Sequence, residues 1–147
     1  MLLTRLRLLV VVLWAGSLWT VGYLVAPTLF VTLADRELAG TIAARMFGAQ
    51  AWLSIGCALA MLLLVWREQR YDGARRRTLY GIVLAMLACT LVSHFGIQPQ
   101  MEVLRASVGP SGMMIASAQS QFGVLHGVAS VIYLIQSVLA GWLLFKQ

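Results

Sequence analysis

Charge is scarce in this chain of 147 residues. Asp, Glu, Lys and Arg together make up 11%, against roughly a quarter in soluble domains. Only five residues are acidic, and no Asp, Glu, Lys or Arg falls in the central part of a long apolar run. That argues against an ion pump with a carboxylate relay and against a voltage sensor. Cysteine is nearly absent too. Cys57 and Cys89 both lie inside apolar runs, where a thiol packs as a small hydrophobe, and neither CxxC spacing nor a disulfide framework is present. A Gly-rich phosphate loop, a nucleophile elbow and paired carboxylates are all missing. Ser93 beside His94 makes no nucleophile and base, because neighbours on one helix point about 100° apart. The chain therefore leans non-enzymatic, and an enzyme would have to borrow its chemistry from a cofactor.

What is present is apolar. Hydrophobic residues make up 61% and the mean hydropathy is +0.85, which excludes a soluble single-core domain. A spanning helix takes about 20 apolar residues, so four spans consume nearly the whole chain as one transmembrane domain. The net charge of +6 points to no nucleic acid, because the cations cluster beside apolar runs rather than on one basic face. They are a topology signal, and the partner they imply is the lipid bilayer.

The runs predict spans at about 8–33, 45–66, 79–97 and 122–145. The first follows Arg5 and Arg7, as in a secretory leader, but is too long for one and is read as a retained span. Pro27, which lacks a backbone donor, should kink it near its far end or begin its unwinding. Asp35 is placed to cap a second helix running to about Arg67. Gln98 and Pro99 should stop the third span, with Gln100 to Ala106 as a short amphipathic helix beyond it. Gly109, Pro110, Ser111 and Gly112 signal a turn, with Ser111 capping a helix that leads into the fourth span.

Counting cations outside the spans gives orientation. Arg5, Arg7, Arg67, Arg70, Arg75, Arg76, Arg77 and Lys146 share one side; Arg36, Arg45 and Arg105 share the other. The expected architecture is an all-α, antiparallel four-helix membrane bundle with both termini cytoplasmic, in a bacterial inner membrane. The triplet Arg75, Arg76 and Arg77 reads as a topology anchor, with anionic lipid head groups as the alternative. No clear repeat is evident, and a weak two-plus-two similarity between helix pairs stays open.

Helices in lipid gain no hydrophobic energy by meeting, so stripes of small and polar residues mark the seam. They are Gly16, Thr20, Tyr23, Pro27 and Phe30; Gly40, Ala43, Phe47, Gln50, Ala51, Ser54, Ala58 and Met61; Tyr80, Thr90, His94 and Gln98; and His126, Ser130, Tyr133, Ser137 and Gly141. Thr20, Ser54, Thr90 and Ser137 read as bonds to carbonyls one turn back, and Gln50 and Gln136 as bonds between helices. The only histidines, His94 and His126, fall at similar depth on facing stripes. Gln98 and Ser130 stand one turn away as partners that fix their tautomers. Facing imidazoles can hold a metal ion or supply two axial haem ligands. Met101, Met113 and Met114 nearby would suit Cu(I). The competing reading is a neutral histidine network that holds the bundle together.

The run Ala26, Pro27, Thr28, Leu29, Phe30, then Ala39, Gly40 and later Met46, Phe47, resembles the first half of the small four-span family related to human transmembrane protein 205, which has many bacterial members. Pro99 and the pair His126, Gly127 resemble its second half. The resemblance covers most of the chain. It implies four transmembrane helices with no established reaction, and it carries over Pro27, Phe30, Gly40, Phe47, Pro99 and His126 as signature positions without chemistry. A serine expected soon after the His-Gly pair is displaced, since Val128 and Ala129 precede Ser130. Together these features point to a protein that binds or transports a small ligand, or steadies a membrane partner, through a polar seam including Tyr23, Gln50, His94, Gln98, His126, Ser130 and Tyr133. The alternative is a haem- or copper-binding protein using His94 and His126. A second copy of the chain is left open as a partner.

Overall fold

Four long helices account for the fold, as their hydropathy requires. The computed structural model describes residues 2–67, 72–106 and 116–147. Helix α1 covers Leu2–Thr32, α2 Arg36–Arg67 and α3 Gly73–Ala106, and α4 covers Ala116–Phe145. Each holds a window apolar enough to cross a membrane. At about 1.5 Å per residue all four exceed a hydrocarbon core roughly 30 Å thick, so their ends reach the interface. Among the described residues there is no strand. Most of the surface is apolar: Leu9, Leu24, Val31, Leu59, Val124 and Val138 are each more than half exposed, as a lipid-facing surface should be. This is an integral membrane protein.

The caps are local chemistry. Asp35 Oδ1 accepts from the amides of Glu37 and Leu38 at 2.9 and 3.1 Å, the cap expected of it. Asp72 does the same for α3, accepting from Arg75 N at 2.7 Å. The arginine triplet does more than anchor a loop. Arg75 donates to the carbonyls of Lys146 and Gln147, both at 2.9 Å, and Arg76 to that of Trp66 at 3.3 Å. Cations thus satisfy free carbonyls at the ends of α4 and α2.

Neighbouring helices pack in the cyclic order α1, α2, α3, α4, with α4 returning to α1. The close-packed core occupies the half of the bundle nearer the termini. Val11, Trp14, Ala15 and Leu18 of α1 meet Ala58, Met61 and Val65 of α2, Leu79, Val83 and Met86 of α3, and Ala140 and Leu143 of α4. In the other half the bundle divides. There the end of α1 packs on α2, and the end of α3 packs on α4, leaving space between the two pairs.

Two local departures from the α-helix lie beside that space. Thr20–Val25 of α1 and Val92–Ile97 of α3 are wound as π-helix, with Ala26 N–H reaching the Val21 carbonyl and Gln98 N–H the Ser93 carbonyl, five residues back. The sequence explains both. Pro27 and Pro99 each stand just beyond such a segment, and a proline ring collides with the carbonyl four residues back. A wider turn removes the collision and satisfies the remaining donors. Pro99 therefore does not end its helix as expected, since α3 continues through Gln98–Ala106, and α1 likewise runs on past Pro27 to Thr32. The residue after each proline donates its side chain to the carbonyl one turn back, Thr28 to Leu24 at 2.6 Å and Gln100 to Gly96 at 3.0 Å. The same interval separates all these pairs, so α1 and α3 are built alike and the weak two-plus-two similarity has a structural counterpart. The turn at Gly109 to Gly112, the Ser111 cap, and Met113 and Met114 lie outside the described residues.

Candidate functional site

Above the apolar core lies a polar belt. Gln136 Nε2 of α4 donates to Thr90 Oγ1 of α3 at 2.9 Å, and Thr90 in turn donates to the Met86 carbonyl at 3.1 Å. Both side chains are buried, so each bond completes polar atoms that lipid would leave bare. Gln50, also buried, turns to Ser54 of its own helix at 3.2 Å rather than across the seam. Ser137 is buried without a protein partner for its hydroxyl, contrary to the expected bond one turn back, and Thr20 is exposed. A void of about 40 Å³ opens into this belt beside Gln50, Ser54, Thr90, His94 and Gln136. It exceeds the roughly 10–15 Å³ that one water needs and offers several polar partners.

Beyond the belt the parted helices enclose a cavity of about 390 Å³, near the lower end of the roughly 300–1,000 Å³ range of small-molecule pockets. All four helices line it. Tyr23, Pro27 and Phe30 come from α1; Gly40, Ala43 and Phe47 from α2; Gln98, Met101, Glu102 and Arg105 from α3; His126, Ser130 and Tyr133 from α4. The π turns and the small residues of α2 supply the room. Of the α2 stripe read from the sequence, Gly40, Ala43, Gln50, Ala51, Ser54, Ala58 and Met61 are buried, and Phe47 is half-buried.

Tyr133 closes the cavity floor. Its hydroxyl donates to the Leu18 carbonyl of α1, and its ring meets those of Tyr23 and Phe47 edge-on, with centroids 6.2 and 5.4 Å away. Gly22 makes this possible, since a side chain there would overlap the Tyr133 ring. Sequence reasoning missed Gly22. Its one signal was a glycine one residue before a seam tyrosine, which single-helix projection does not separate from other membrane glycines.

The two histidines, expected as a facing pair, line different spaces. His94 lines the small belt void, bonds Gln98 Oε1 through Nδ1 at 2.8 Å, and packs edge-on against Trp52 and Phe95. His126 lines the large cavity and stacks on Phe122 with centroids 6.3 Å apart. Gln98 thus has its expected role. Ser130 does not, because its hydroxyl donates to the backbone carbonyl of His126 at 2.8 Å and not to the ring. Helical projection places residues on a face but not the ring at the end of a rotatable side chain. Among the described residues no group of three or more His, Cys, Asp or Glu side chains is gathered to hold a metal.

At the cavity mouth, Arg105 lies over the Phe122 ring, 5.2 Å from its centroid, and comes within 4.0 Å of the position a Cβ on Gly40 would take. Glu102, one turn earlier on α3, lines the same mouth. Sequence reading assigned Arg105 only to the outer charge count and gave Glu102 no role.

The profile of a domain of unknown function, DUF4149, matches residues 9–109, more than half of the chain. The chain belongs to the DUF4149 family. The matched stretch takes in Pro27, Phe30, Gly40, Phe47, Pro99 and Arg105 but not the α4 wall of His126, Ser130 and Tyr133. No curated protein and no solved structure matches the chain.

Proposed function

We propose that this DUF4149 member is a non-enzymatic membrane protein that binds a small ligand in the cavity between its helix pairs. The cavity itself carries the reading: about 390 Å³, with a mostly apolar lining and a few polar groups among it, the arrangement typical of small-molecule sites. A seam that served only to hold a bundle together would be expected to pack shut, as the half nearer the termini does. Kinship with the family of transmembrane protein 205 belongs to the same proposal and rests on Pro27, Phe30, Gly40, Phe47, Pro99 and His126. So do a single transmembrane domain, both termini on the cytoplasmic side, and residence in a bacterial inner membrane, which the cation bias supports.

Filling the cavity tests the reading. In the purified full chain, Ala43→Leu together with Gly40→Ala should abolish retention of co-purified small molecules seen by native mass spectrometry, while the bundle stays folded. Equal retention by the filled and parent proteins would remove the cavity as the binding place. Cysteines placed one at a time at Arg77 and Glu102 test the orientation. Impermeant maleimide added outside intact cells should reach the second and not the first.

A further inference from the structure

Charge in the cavity lies at one end. Its two charged residues, Glu102 and Arg105, stand at the end where α3 finishes, and the remaining lining is largely apolar, with uncharged polar groups such as Ser93, Gln98, His126 and Ser130 among it. Helix ends lie at the membrane interface, so the charged end of the cavity stands at head-group level and the rest of it at acyl-chain level. It also has a side entrance. Past the Tyr23 and Tyr133 contact, α1 packs on α2 while α4 packs on α3, and Tyr23, Phe30, His126 and Ser130 on either side of the gap are exposed. In a bundle that spans the membrane, a lateral gap at this depth opens on the bilayer.

Resting on the ligand-cavity reading, we propose that the occupant is a single-chain lipid with an anionic head group, which enters between α1 and α4 and places its head at Arg105. An arginine serving only as an interfacial anchor would point its guanidinium outward to water and phosphates. Here it lies over Phe122 and turns toward Gly40, at the cavity wall. Guanidinium carries paired donors that match a carboxylate or phosphate, and among the described residues no ion pair is formed with it. Glu102 opposes an anion there, which sets head-group affinity below its ceiling and yields a second test. The size of the cavity fits one acyl chain rather than a whole diacyl phospholipid.

The full chain in nanodiscs, exposed to diazirine-bearing palmitate, should be labelled on the peptides holding Phe30, Phe47 and Met101. Palmitate should compete with the label and hexadecanol should compete roughly tenfold less, as loss of a charged hydrogen bond implies. Arg105→Gln should erase that preference, Arg105→Lys should keep part of it, and Glu102→Gln should strengthen palmitate competition. A diazirine-bearing phosphatidylglycerol should label these peptides less than the palmitate probe; stronger labelling would overturn the single-chain assignment. Equal competition by palmitate and hexadecanol, unchanged in Arg105→Gln, would overturn the head-group assignment and leave the cavity reading standing. Labelling confined to lipid-facing residues such as Leu9 and Val138, with either probe, would overturn both.

Discussion

The Tyr133 ring of α4 occupies the space that a side chain at Gly22 of α1 would need, and its hydroxyl closes on the Leu18 carbonyl one turn below. This crossing is where the packed half of the bundle ends and the cavity begins. It holds α1 to α4 just before the two helices part.

Gly22→Ala should therefore destabilise the bundle, by about 1–3 kcal/mol as overpacking typically does, visible as a lower melting temperature in mild detergent. Tyr133→Ala should relieve the clash, so the double variant should lose less than the sum of the single ones. Additive losses would show that the two residues do not meet.

Replacing Pro27 by alanine restores an amide and removes the ring collision that the π turn of Thr20–Val25 accommodates. A regular turn should then form and rotate Ala26–Thr32 by about 100°. Phe30 should leave the cavity wall with little loss of stability. Photolabelling of Phe30 by the palmitate probe should fall; an unchanged pattern would mean that packing around Gly22, not the proline, holds the wide turn.

The bond from Gln136 to Thr90 joins two helices inside the bundle. Gln136→Leu should cost about 0.6 kcal/mol and at most roughly 1.7, the range of such bonds in membrane bundles. Thr90→Val should add little once Gln136 is gone. A double-mutant cycle of unfolding in mixed micelles measures the coupling, and a value of zero would count against the bond.

At the helix ends, Asp35→Ala and Asp72→Ala each remove a side chain that accepts backbone amides. Each should cost about 1 kcal/mol, and asparagine at either site should recover most of it. Hydrogen exchange of the first turns of α2 and α3 should rise in the alanine variants and stay near the parent rate in the asparagine ones.

Much of the fold was legible before any coordinates. Four long apolar runs leave backbone groups that lipid cannot hydrate, so helices follow, and small residues on α2 mark the face that is in fact buried. Pro99, with Gln98, reads as a stop to the third span because prolines break helices in soluble proteins. In apolar surroundings the backbone keeps its bonds by widening the turn instead.

The candidate site was legible only in part. Tyr23, Gln98, His126, Ser130 and Tyr133 read from the sequence as seam residues, and all five line the cavity, whereas the parts that Arg105 and Gly22 play do not show within one helix. Composition and periodicity decided that the chain crosses a membrane and which faces turn inward, because burial of backbone groups and side-chain polarity are local properties. Where the helices touch and where they part was decided by tertiary packing alone. The fit of one ring beside one missing side chain, and which space each histidine lines, depend on side chains meeting across helices remote in sequence.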